Sequence, residues 1–203
     1  MKVSHVIYKV QDLDKGVKEF RAKGFEVEYG KKKNPYNAQI YFSEGPYIEL
    51  LANTGMPNLV KTILGLSAKG EKLLNRLNYW DQHPGGYCGL ALENYKDNLD
   101  SERAILKKHE QGCFQMNSRR NDTKGRQLRF KCAYPYELQI PFYMTYFNID
   151  PKPKNFVHPN GVKRISHITY GVRRELFPLI HEMCDDEMLE LLEGDGIEDV
   201  EFE

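Results

Sequence analysis

Residues 2–10, KVSHVIYKV, are rich in β-branched and aromatic side chains and predict a strand. In the following QDLDKGVKEFRAKG, Leu13, Val17 and Phe20 recur at helical spacing. Asp12 or Asp14 can cap the N-terminus of that helix, and Gly24 stops it. FEVEYG alternates Phe25, Val27 and Tyr29 against Glu26 and Glu28, the period of a half-buried strand. After KKKNPYN, the runs AQIYF and PYIELLA predict two more strands joined by the turn-rich SEGP. The opening segment therefore reads β-α-β-β-β.

Residues 56–79 predict a helix, with Leu59, Ile63, Leu66, Leu73, Leu74 and Leu77 on its apolar face, and HPGG (83–86) breaks it. The pattern then restarts. GYCGLALEN predicts a strand and DNLDSERAILKKHEQG a helix capped by Asp97 or Asn98; CFQMN, RQLRFKCAY and YELQIPFYM predict three strands. Beyond the Pro-rich NIDPKPKNFVHPNG, ISHITYGV (165–172) repeats VSHVIYKV (3–10) with Ser, His, Tyr and Val in the same places, at an offset of 162 (167 − 5). A helix over 175–183 follows, and LELLEG with IEDVEFE predicts a terminal hairpin.

Internal repetition is the strongest organising signal in the chain. It predicts an α+β fold of tandem βαβββ modules whose curved mixed sheets enclose a trough, with a partial third module at the C-terminus. The expected boundaries are 1–55 for the first module, 56–85 for a helical connector and 86–147 for the second module. A C-terminal partial module with an acidic tail takes 148–203. A single unit leaves one sheet face uncovered, so two must pair, and the residues facing the trough alternate along each strand.

Charge adds little direction. Lys+Arg and Asp+Glu are 29 each, so no net field favours nucleic acid or an anionic membrane as partner. No run approaches the roughly 20 apolar residues that span a bilayer. Lys31–Lys33 and the group Arg119, Arg120, Lys124, Arg126 and Arg129 are basic, the tail 185–203 is acidic, and each reads first as solvated surface. Four cysteines (Cys88, Cys113, Cys132, Cys184) form no CxxC pair and no secretory signal precedes Val3, so reduced thiols and a cytoplasmic location are expected. GxSxG, P-loop and GxGxxG motifs are absent, which argues against hydrolase-elbow, nucleotide and dinucleotide chemistry.

Several stretches, in their order and spacing, resemble the glyoxalase-like branch of the vicinal oxygen chelate superfamily. They are SHVIYKVQDLDKGVKEFRAKGFEV, NAQIYFSEGPYIELL, RRNDTKGRQLRFK, LQIPFYMTY and HPNGVKRISHI, covering about residues 3–172. The resemblance implies a small-molecule site in the trough and one divalent metal ion (Zn, Fe, Mn or Ni). It puts His5 and Glu49 at two metal-ligand places and Asn37 near the usual Asn of the branch. Metal-dependent members draw two further ligands from the second module. Here GYCGLALEN offers Cys88 or Glu93 but no His, and YELQIPF offers Glu137 and Gln139, so the usual quartet is not visible; His167 is a substitute of unusual geometry.

Each candidate carries alternatives. His5 and Glu49 either hold a metal or line a metal-free pocket, where Glu49 serves as a catalytic base. His167 is a ligand, a pocket wall or a packed strand residue; His158 is a turn residue or lines the pocket. Asn37 orients a ligand or caps a strand end. Arg120, with Arg119, folds over the trough to hold a carboxylate or phosphate, or is solvated. Gln139 and Phe142 are the remaining ligand-binding candidates, Phe142 within an aromatic group that is pocket wall or core. Cys88 has no basic neighbour and is not expected to be a nucleophile.

Three functions remain in play. The first is a metal-dependent lyase, isomerase or dioxygenase acting on an oxygen-rich small molecule. The second is a metal-free sequestration protein of the bleomycin-resistance type, and the third a metal-free isomerase or lyase using Glu49. The expected partners are the small molecule and, because paired modules invite it, a second copy in a homodimer.

Overall fold

In the computed structural model, which describes residues 1–203, the first module consists of β1 (Lys2–Lys9), α1 (Leu13–Ala22), β2 (Glu28–Tyr29), β3 (Asn37–Ile40) and β4 (Tyr47–Leu51). Two helices follow, α2 (Asn58–Leu64) and α3 (Ala68–Gln82). The pattern then repeats as β5 (Gly86–Asn94), α4 (Asp100–Lys108), β6 (Cys113–Asn121), β7 (Gln127–Pro135) and β8 (Phe142–Thr145). The C-terminal part is β9 (Ile165–Val172), α5 (Phe177–Met183), β10 (Leu189–Glu193) and β11 (Gly196–Phe202). The fold is α+β, and none of its helices is long and apolar enough to cross a membrane.

Within each module the first strand pairs parallel with the last, β1 with β4 and β5 with β8. β1 and β5 then pair antiparallel, producing one continuous sheet of order β2-β3-β4-β1-β5-β8-β7-β6 in place of two facing sheets. The sheet curls until β6 reaches the opposite edge. There Arg120 Nη1 donates to Gly30 O at 3.2 Å and to Gln39 Oε1 at 3.3 Å, and the Thr123 hydroxyl donates to Glu28. Strand alternation does the rest. Val6, Ile48, Leu50, Leu90, Leu92 and Tyr143 pack on the convex side with α1, α4 and the second sheet, while His5, Ile7, Tyr47 and Glu49 face the concave side.

α1 forms as expected: Asp12 accepts from Lys15 N at 2.9 Å, and Leu13, Val17 and Phe20 are buried. Several elements are shorter than their patterns suggest, and in each case a side chain has taken the backbone groups a longer element would use. Glu26 N donates to His158 Nδ1 (3.0 Å) and Val27 O accepts from Arg21 (2.8 Å), so β2 is only two residues long. The helix expected over 56–79 breaks at 65–67, where Ser67 accepts from Gly70 N at 3.1 Å and starts α3. A Cβ at Gly70 would lie 2.1 Å from Leu64 O, so only glycine permits that turn. α4 begins later than predicted, with Asn98 Oδ1 accepting from Asp100 N.

The strand expected over 136–144 survives only from Phe142. Upstream of it Arg76 of α3 donates to the carbonyls of Pro135, Glu137 and Ile140, at 2.6–3.2 Å, and holds 136–141 as a loop. At the C-terminus the expected hairpin does not form: β9 lies between β10 and β11, parallel to the first and antiparallel to the second. Ile165, Ile168, Tyr170 and Val172 of β9 join the convex-side core.

Arg76 is 3% exposed and has no carboxylate partner; burial lowers its pKa to about 10, leaving it charged at neutral pH. Its replacement by methionine keeps most of the packing volume but strands three carbonyls. Arg76→Met is therefore expected to cost about 2–4 kcal/mol in urea unfolding. A loss below about 1 kcal/mol would mean that water or relaxation satisfies those carbonyls.

Candidate functional site

The concave face of the curled sheet encloses a hollow of about 420 Å³. Its walls come from alternate positions: His5 and Ile7 of β1, Asn37 and Gln39 of β3, Tyr47 and Glu49 of β4, Cys132 and Tyr134 of β7, Phe142 and Met144 of β8. α3 closes one side, laying Leu73, Leu77 and Trp80 against Ile7, Ala91 and Phe142. The close approach of Trp80 depends on Gly89, where a Cβ would sit 2.9 Å from Trp80 Nε1. Most of the lining is apolar or aromatic, with the ionisable groups gathered in one region, the usual composition of a ligand pocket.

That region centres on Glu49. His5 Nε2 lies 3.4 Å from Glu49 Oε2, and Asn37 Nδ2 donates to Glu49 Oε1 at 2.5 Å. The His5 ring stacks on Tyr47 at 4.5 Å and meets Phe142 edge-on at 5.4 Å, so neighbouring strands fix its plane. On the far side of the ring, Nδ1 lies 3.1 Å from Ser4 Oγ, whose hydroxyl donates to Glu93 Oε2 at 2.6 Å. A hydroxyl has one proton to give, so Nδ1–H is the donor to Ser4. His5 thus presents Nε2 to Glu49. Burial pushes the Glu49 carboxyl up, but His5, the Asn37 amide and the charge of Arg120 together hold it below its ordinary value of 4.5.

Arg120 reaches the hollow from β6 and is held by Gly30 O, Gln39 Oε1 and the Tyr41 hydroxyl, with the Phe147 ring 5.6 Å away. Burial opposes its charge, yet Tyr41, Tyr47 and Glu49 outweigh burial and keep it cationic. Burial also pushes the phenol of Tyr41 and the thiols of Cys88 and Cys132 up to about 12, so all three stay protonated at neutral pH.

Five of the residues singled out from the sequence therefore converge: His5, Asn37, Glu49, Arg120 and Phe142 line one hollow. Three do not. Gln139 sits in the 136–141 loop and bonds Asp195 Oδ1 (2.9 Å) and Arg173 N (3.0 Å), tying that loop to the second sheet. His158 is packed among the rings of Phe25, Phe42 and Phe156 in the convex-side core, where burial lowers its pKa and keeps it neutral. His167 does lie on a strand built like β1, but that strand belongs to the second sheet, where Nε2 meets Glu190 Oε2 at 3.0 Å.

Tyr47, Gln39, Trp80, Ser4 and Glu93 belong to the site or its support without having been singled out from the sequence. The first two are accessible to such reasoning, because Tyr47 stands two before Glu49 and Gln39 two after Asn37. Ser4 reaches His5 across a register shift between Val3 and His5, and no pattern of the sequence announces such a shift.

The donor set decides how a metal would fare. No three His, Cys, Asp or Glu side chains come together anywhere in the structure as a metal-binding group. His5 and Glu49 are the only imidazole and carboxylate facing the hollow, and the second-module wall offers Cys132, Tyr134, Phe142 and Met144. The residues present do not fit a four-ligand centre, and the fixed charge of Arg120 adds repulsion.

Two solved structures share the fold over nearly the whole chain. A hypothetical protein from Staphylococcus aureus is 14% identical, with a TM-score of 0.62, covering 97% of this chain and 87% of that one. The Mn(II)-bound glyoxalase from Novosphingobium aromaticivorans is 11% identical, with a TM-score of 0.61, covering 99% of this chain and 64% of that one. No curated protein matches the sequence significantly. Residues 3–182 match the family described as glyoxalase-like domain, so the chain belongs to the glyoxalase-like domain family of the vicinal oxygen chelate superfamily.

Proposed function

We propose that the hollow binds a small carbonyl-bearing molecule with an apolar body, and that Glu49 acts on it as a general base without a resident metal. The observation that supports this reading most is a single ionised carboxylate, fixed by His5 and Asn37, in a largely apolar hollow. In the step envisaged, the C–H bond beside the carbonyl breaks, its proton passes to Glu49, and the electron pair moves onto the carbonyl oxygen as an enolate. Arg120 is a preorganised cation for that oxygen or for a carboxylate on the same molecule. Return of the proton at a different face or carbon makes the reaction an isomerisation, and loss of a leaving group makes it a lyase reaction.

The Mn(II) of the Novosphingobium glyoxalase belongs to that protein. In this chain a divalent ion would find His5 and Glu49 with no third His, Cys, Asp or Glu grouped with them, which is why the chemistry is assigned to side chains. A second reading, binding without turnover, draws on the depressed Glu49 pKa. A carboxylate held by three partners is a weak base but a good acceptor for a ligand hydroxyl.

The test begins with thermal-shift screening of α-dicarbonyl and aromatic keto compounds, followed by proton NMR of any bound compound in D₂O. The proposal expects deuterium to enter at the carbon beside the carbonyl, and Glu49→Gln to slow this by about 10²-fold or more while changing affinity little. Binding without exchange in the wild type would support the second reading. Elemental analysis of untagged protein should find far less than one metal ion per chain. Stoichiometric metal that Glu49→Gln removes would overturn the metal-free assignment.

The depressed Glu49 pKa also carries a sign. A carboxyl held below its ordinary value of 4.5 adds stability above that value and loses the contribution as pH falls below it. Urea midpoints measured from about pH 6 down to about pH 3 should therefore fall more steeply for wild type than for Glu49→Gln.

A further inference from the structure

The basic cluster noted in the sequence divides in the structure. Arg120 turns into the hollow and Arg126 pairs with Asp122 at 2.7 Å, but Arg119, at the edge of the hollow, and Arg129, outside it, have no carboxylate partner. They stand directly opposite each other across the β6–β7 ladder, both exposed. Like charges at facing ladder positions are destabilising. Other exposed arginines are offset by carboxylates, as in Arg164–Glu203 and Arg173–Glu137. No carboxylate lies within 4.0 Å of Arg119 or Arg129, nor of the neighbouring Lys96 and Lys131.

These four cations line a groove of about 820 Å³ on the outer face of β6, β7 and β8, where Asp97 is the only acidic residue. Lys131 Nζ donates to Asp97 O at 2.8 Å, pinning the 95–97 loop as one bank. The rings of Tyr95 and Tyr146, 4.9 Å apart, stand on the rim. The groove adjoins the hollow, since Arg119, Phe130 and Phe147 line both.

We propose that this groove is a binding site for a small phosphorylated molecule. Arg119 and Arg129 would straddle a dianionic phosphoryl group, each guanidinium offering paired N–H donors, with Lys96 and Lys131 on adjacent oxygens. The repulsion across the ladder then has a counterpart, because one dianion neutralises the opposed pair. The assignment does not rest on the chemistry proposed for Glu49.

The probe is inorganic pyrophosphate, titrated calorimetrically into the full-length protein near physiological salt. Saturable one-to-one binding with a Kd below about 1 mM is expected. Arg129→Gln should weaken it at least tenfold while leaving the thermal midpoint of the free protein unchanged or higher. Pyrophosphate should raise the midpoint of wild type and not that of Arg129→Gln. Lys32→Gln, on a basic loop that does not line the groove, and Glu49→Gln, in the hollow, should bind the probe as wild type does.

Non-saturable binding, equal affinity in Arg129→Gln, or equal weakening by Lys32→Gln or Glu49→Gln would each overturn the site. Tenfold tighter retention of a single-stranded oligonucleotide than of pyrophosphate would overturn the small-molecule assignment.

Discussion

The antiparallel ladder between β1 and β5 is the constraint on which the site depends. Each βαβββ module alone would be an open sheet with two edges and one bare face. Joining them along their first strands makes eight strands continuous, and the accumulated twist brings β6 round toward β2 and β3. The outer edges do not pair strand to strand; Arg120 and Thr123 bridge the remaining gap with side-chain hydrogen bonds. The same guanidinium that ties the curl also supplies the positive charge of the hollow, so closure and electrostatics share one residue.

The polar end of the hollow illustrates how a sheet can keep ionisable groups buried. A carboxylate taken from water needs compensation, and Glu49 receives it from an imidazole, an amide and a guanidinium that arrive on three other strands. His5 in turn is held on both sides, by ring stacking and by the Ser4–Glu93 pair, so its orientation does not depend on what occupies the hollow. Such preorganisation is the condition for electrostatic catalysis and equally for selective binding.

Much of this is legible in the hydrophobic pattern. The β-α-β-β-β order, the strand β9 at Ile165–Val172 and the shared orientation of His5 and Glu49 follow from alternation and helical spacing. The departures share a cause, which is long-range capture of backbone groups. Arg76 reaches 59 to 64 residues along the chain to hold the loop that replaces half a strand, and His158 reaches 132 back to Glu26. His167 misleads for a different reason: its strand is legible, but local pattern says nothing about which sheet a strand joins. Gln139 leaves the site because its strand begins only at Phe142.

The two halves of the hollow are not equivalent although the modules that build them are. All the carboxylate and imidazole character lies on β1 and β4, while the matching strands of the second module, β5 and β8, present alanine, phenylalanine and methionine. The two copies differ in character: one carries the ionisable atoms, and the other lines the hollow with apolar side chains. Changes on β5 and β8 can therefore reshape the hollow without touching the Glu49–His5 pair, so its shape and its electrostatics are free to diverge along separate strands.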